Sequence, residues 1–158
     1  MKKLTPIFLL ITIGFSSCFD SSPSQSNILD SDDYDSKEER VEILKNEIKS
    51  FSDFENAAFE LFNVNGFSNS RTMLPGASSW DYKFVVKINP SEIGAWTNGM
   101  IKTKTKYHDD EWMKKIIEDR KVEWQTTSDP EIYTRQGENV LMIVYRSEGI
   151  IFKRIINL

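Results

Sequence analysis

The pattern that most constrains this chain lies in its last third. Residues 140–145, Val-Leu-Met-Ile-Val-Tyr, form an unbroken apolar run rich in β-branched and aromatic side chains and too short for a buried helix. Such a run suits a central strand covered on both faces. Residues 132–135 and 150–156 also read as strands, joined to it around Gln136-Gly137-Glu138 and Ser147-Glu148-Gly149. Loops this short favour antiparallel hairpins. Upstream, Tyr82, Phe84, Val86 and Ile88 alternate with Lys83, Val85 and Lys87, which predicts a strand with one face on the core.

Helical signals fill the intervals. Ser36-Lys37-Glu38-Glu39 forms a capping box, followed by Val41, Leu44, Ile48 and Phe51 at helical spacing. Ser52-Asp53-Phe54-Glu55 repeats the cap, and Phe54, Ala57, Ala58, Leu61 and Phe62 then predict a continued or restarted helix. Alternation through Phe59 and Leu61 keeps a strand over 59–64 as the other reading. Asn89-Pro90-Ser91-Glu92 caps a short helix with Ile93, Trp96 and Met100 on its inner stripe. Asp109, Asp110 and Glu111 open another helix that Arg120 and Lys121 close, with Trp112, Met113, Ile116 and Ile117 inward. The fold class expected is α+β, a small, mainly antiparallel sheet of three to five strands with helices packed on it, formed by one domain over 36–158.

Residues 18–35 are serine-rich and acidic, too polar to build a core, and are expected to be a solvated tether. Setting aside Lys2, Lys3, Lys37 and the seven acids up to Glu39 leaves 17 basic and 17 acidic residues in 40–158. A neutral domain carries no electrostatic footprint for nucleic acid.

The first eighteen residues follow another logic. Lys2 and Lys3 precede an apolar run over 4–15, well short of the roughly 20 residues that span a bilayer as a helix. Phe15-Ser16-Ser17-Cys18 follows, containing the only cysteine of the chain. This order resembles the signal peptide and lipobox of bacterial lipoproteins. Phe15 stands where that family usually has an aliphatic residue. The resemblance implies cleavage after residue 17, acylation of Cys18 and export to the cell envelope, with the membrane as a partner through that lipid. Phe19, rather than an aspartate, follows the cysteine, which in enterobacterial-type sorting favours the outer membrane. The plainer alternative is an ordinary signal peptide with an incidental cysteine. With Cys18 lipidated no thiol is left for a disulfide, so packing alone must hold the domain.

Catalytic and metal signals are weak, and neither a cofactor nor a metal is expected. His108 is the sole histidine and adjoins Asp109, Asp110 and Glu111, but adjacent residues at a helix start diverge, whereas metal ligands on a helix use spacings such as i and i+4. Ser78, Ser79, Asp81 and His108 hold the residue types of a serine triad without a Gly-x-Ser-x-Gly turn. Two stretches suit recognition. Trp80, Asp81 and Tyr82 follow a small-residue loop into a strand, and Lys102, Lys104 and Lys106 share one side of an extended segment. The plainer readings are a tied turn with Trp80 covering the core edge, and lysines guarding a sheet edge by repulsion. The expected role is a membrane-anchored, non-catalytic module that binds an envelope protein, of inhibitor, immunity or assembly type. The alternative is a small-ligand-binding or hydrolytic lipoprotein with a pocket beside Trp80.

Overall fold

The computed structural model describes residues 26–67, 78–104 and 109–157. They form one antiparallel sheet of seven strands: β1 (Ile28–Asp30), β2 (Asn56–Asn63), β3 (Trp80–Lys87), β4 (Ile101–Thr103), β5 (Glu131–Thr134), β6 (Asn139–Tyr145) and β7 (Ile150–Asn157). Their spatial order is β1-β2-β3-β7-β6-β5-β4. The expectation of three to five strands is therefore corrected. The sequence reads β3 as a strand from alternation and β5, β6 and β7 from short apolar runs between turns; its alternative strand over 59–64 overlaps β2, and β1 and β4 have no strand reading.

β2 lies second in the sheet and is covered on both faces. Ala57, Phe59 and Leu61 enter one core cluster while Ala58 enters the other. Burial on both sides erases the alternation that marks a half-buried strand, so the segment imitates a helix. The helix predicted over 52–62 does not form there. β1 falls inside the segment expected as tether, where Ser31 is fully buried and the Tyr34 ring packs 6.3 Å from Phe59. Three residues of strand are too few to alter a composition count. β4 is equally short, and it is the edge strand that carries Lys102.

Long connections cover the two sheet faces. Between β1 and β2, helix α1 (Lys37–Glu47) is capped by the Ser36 side chain, which accepts from the Glu39 N–H at 3.1 Å. From β3 the chain passes through α2 (Ile93–Thr97) on the way to β4 at the opposite end of the sheet. Leu44, Ile93 and Trp96 of these helices are fully buried against Phe59, Phe84, Met142 and Ile151. From β4 it returns through α3 (Glu111–Ile116) and a 3-10 turn (Glu118–Trp124) before β5. There Trp112, Met113, Ile116 and Trp124 bury with Val85, Ile143, Ile150 and Phe152. Trp96 and Trp112 thus serve the core, as their helical stripes predict.

Two sites tie these layers. β1 pairs only with Glu60–Phe62, so the start of β2 lacks a strand neighbour on that side among the described residues. Arg40 of α1, 3% exposed, fills the gap: its Nε donates to the Ala57 carbonyl at 3.0 Å and Nη2 reaches Asn56 and Glu123, each at 3.4 Å. In the β6–β7 turn, Gly149 has φ +67°, and a Cβ there would lie 2.2 Å from the Ile88 carbonyl oxygen. Only glycine fits that position without displacing backbone.

Candidate functional site: a cleft over strands 4 to 6

The topology explains where this molecule is open. Helix α3 packs on β2 and β3, whereas the strand that leads toward it, β4, lies at the far edge of the sheet. The second face is therefore closely covered over β2, β3 and β7 and more thinly towards β4, β5 and the end of β6, where Ile132 and Tyr145 stay half-buried. A cleft of ≈ 850 Å³ opens there. Its volume falls within the range usual for ligand sites.

Apolar groups dominate its interior. Met113 and Ile117 contribute from the α3 side and Trp124 from the end of the 3-10 turn, facing Ile132, Ile143, Tyr145 and Phe152 of the sheet. Tyr145 and Phe152 pack edge to face with centroids 6.2 Å apart. Around them stand Lys102, Lys104, Lys114, Asp110, Asp129 and Glu131. Trp124 is 3% exposed and its indole N–H finds no acceptor among the described residues.

Two ion and hydrogen-bond clusters fix the walls. Glu131 accepts from Arg146 Nε and Nη2 at 3.2 and 2.7 Å, from Lys102 Nζ at 2.7 Å and from the Tyr133 hydroxyl at 2.7 Å. These donors, Arg146 foremost, hold its carboxyl at about 2. β4 is thereby tied to β5 and to the β6–β7 turn. In the same β6–β7 turn, Glu148 accepts from the Ser128 hydroxyl, from the Thr127 and Ser128 backbone N–H groups at 2.8 and 2.9 Å, and from the Thr127 hydroxyl at 2.8 Å. The Ser128 hydroxyl leads in holding this carboxyl at about 2. The loop that brings Thr126, Asp129 and Pro130 to the cleft is thus pinned by a turn far away in sequence.

The recognition residues expected from sequence divide between two places. Lys102 and Lys104 line the cleft, while Lys106 and His108 lie outside the described residues. Trp80, Asp81 and Tyr82 begin β3, four strand spacings from β4, or roughly 19 Å. Asp81 receives Arg154 Nε and Nη2 at 3.0 and 2.8 Å, with Lys83 3.6 Å away. Lys83 also binds Glu60 at 2.6 Å, and Glu60 takes a further bond from Lys115. Burial works to raise the Glu60 carboxyl, but the bonds from Lys115 and Lys83 outweigh it and lower it. Asp81 therefore belongs to a charge ladder between α3 and the sheet. Tyr82 packs on Phe67 with ring centroids 6.1 Å apart.

Asp129, Glu131, Tyr145, Arg146 and Glu148 escaped the sequence reading, because no local motif joins them; strand register and two crossovers do. Among the described residues no three His, Cys, Asp or Glu side chains gather as a metal ion would require. No helix among them is long and apolar enough to cross a membrane. The chain matches no protein-family model, no curated protein and no solved structure.

Proposed function

We propose that this chain is exported, held at the cell envelope by lipid on Cys18, and works by binding rather than by covalent chemistry, with the cleft over β4–β6 as its binding surface. The anchor reading rests on the Lys2-Lys3 start, the short apolar run and Ser16-Ser17-Cys18. Two acyl chains on that cysteine would make attachment stable, since each buried CH₂ contributes about 0.8 kcal/mol. Binding at the cleft rests on one observation: a concavity of ≈ 850 Å³ with an apolar interior, ringed by charges and framed by the saturated carboxylates Glu131 and Glu148. Rigid walls of this kind reduce the entropy lost when a ligand is held.

The pair of experiments is direct. Palmitate labelling of the full chain should vanish in Cys18→Ala; persistent labelling in that variant would refute the anchor. Ile132→Trp, which fills the cleft from β5, should abolish retention of molecules that co-purify with the full chain, and unchanged retention would refute the cleft as the site.

A protein partner is the second reading, favoured by a separate patch. Ile28, Phe62 and Val64 are 51%, 37% and 41% exposed at the β1–β2 edge, with Ile28 directly opposite Phe62. Phe62→Asp should abolish protein capture by the envelope-bound chain if that patch is the working surface.

A further inference from the structure

Charged groups stand on both sides of the cleft. On the β4–β5 side stand Lys102, Lys104 and, just behind Glu131, Arg146, against Glu131 alone. The α3 side carries Asp110 and Lys114, which bond each other at 3.0 Å, and the loop before β5 adds Asp129. The lining as a whole is balanced, three lysines against three acids, with the two β4 lysines beside an apolar floor. Lys104 is exposed and makes no ion pair with any described residue, while Lys102 gives one donor to Glu131 Oε1, the Tyr133 and Arg146 bonds falling on Oε2, and keeps its other two N–H groups. An anionic group placed at the β4 wall would meet the unpaired Lys104 and the remaining donors of Lys102, whose bond to Glu131 stays in place. Its apolar remainder would lie against the half-buried Ile117, Ile132 and Tyr145, above the buried Ile143 and Phe152.

We propose that the cleft takes an amphiphilic anion, an acyl chain ending in a carboxylate, with the chain on the apolar floor and the carboxylate at Lys102 and Lys104. This rests on the cleft being the binding surface and adds the ligand class. Charge-assisted bonds from ammonium to carboxylate are the stronger kind, and burial of the chain supplies the nonspecific share of affinity.

The test uses the full chain in phosphatidylcholine nanodiscs, with empty nanodiscs as blank and ω-fluorinated dodecanoate as probe, followed by fluorine NMR. A saturable, protein-dependent resonance is expected, and Lys104→Glu should weaken binding about tenfold, the equivalent of one charge-assisted contact. Dodecanol and dodecyltrimethylammonium carrying the same fluorine label should bind more weakly than the carboxylate. If either binds as well, or if Lys104→Glu leaves carboxylate affinity unchanged, the anionic class is refuted while the cleft stands. Should Ile132→Trp leave binding of all three intact, the cleft itself is refuted. Near-ultraviolet circular dichroism of both variants separates lost binding from lost folding.

Discussion

Lys153 gives the sharpest test of the packing described here. It sits in the middle of β7, 5% exposed, between Phe84 of β3 and Met142 of β6 in register. Its ammonium lies 5.2 Å from the Phe51 ring centroid and 5.9 Å from that of Trp96, and no carboxylate pairs with it among the described residues. Burial, helped by repulsion from Arg135, lowers its pKa from 10.5 to about 8. At about 1.4 kcal/mol per unit, holding the charged form inside costs ~3 kcal/mol. Lys153→Met keeps the stem, removes the charge and sacrifices about 1 kcal/mol of cation–π attraction. The variant should therefore be about 2 kcal/mol more stable at pH 7. The penalty is whole below pH 8, where both folded and unfolded chains are protonated. Between pH 8 and 10.5 the unfolded chain binds more protons, so the penalty fades as pH rises. Urea unfolding of wild type and variant, paired at each pH from 7 to 10.5, isolates this residue because the tyrosines and other lysines cancel. A less stable variant at pH 7, or a stability difference that does not shrink towards pH 10.5, would refute the buried, unpaired ammonium.

Other substitutions probe other joints. Gly149→Ala combines a left-handed backbone with a Cβ 2.2 Å from the Ile88 oxygen, and should lower stability by about 3 kcal/mol in a urea titration with an unchanged slope. Arg40→Met strips the donor from the buried Ala57 carbonyl and leaves Asn56 and Glu123 without their cation; a loss of about 3 kcal/mol is expected, and a loss under 1 would mean that the β2 edge is sealed otherwise. Because the Glu131 carboxyl is held at about 2, its contribution is complete above pH 4.5 and disappears as pH falls through 2. The stability gap between wild type and Glu131→Gln, about 2 kcal/mol at pH 6, should close over that window. Glu148→Gln should speed amide hydrogen exchange at Thr127 and Ser128 with little change in global stability.

What was legible in the sequence follows from how each strand is used. β3 shows alternation because its polar residues Asp81 and Lys83 meet partners on one face while Tyr82, Phe84 and Val86 bury on the other. β6 and β7 announce themselves by apolar runs between turn residues. β2 does not, since Ala57 and Ala58 are equally buried on opposite faces and Glu60 is held by lysines from β3 and α3. The short helix after Asn89 is legible because its cap is local: the Asn89 side chain accepts from the Ser91 N–H at 3.0 Å. The cleft could not be read the same way. It exists because α3 packs over β3 rather than β5, a consequence of strand order that no window of neighbouring residues encodes. Lys102 and Lys104 were found through their alternation, and the acids and aromatics that complete the site were not, since each looks like ordinary strand or turn chemistry in its own neighbourhood.

The most direct test of the cleft as the working surface is photo-crosslinking in the envelope of cells that make the chain. A photoreactive phenylalanine is placed at Thr126 on the cleft rim in one strain and at Phe62 on the exposed β1–β2 patch in another. The account predicts a discrete adduct from position 126 that disappears when Ile132→Trp is added, with none of comparable yield from position 62. Adducts from position 62 alone would contradict it and move the function to the exposed patch.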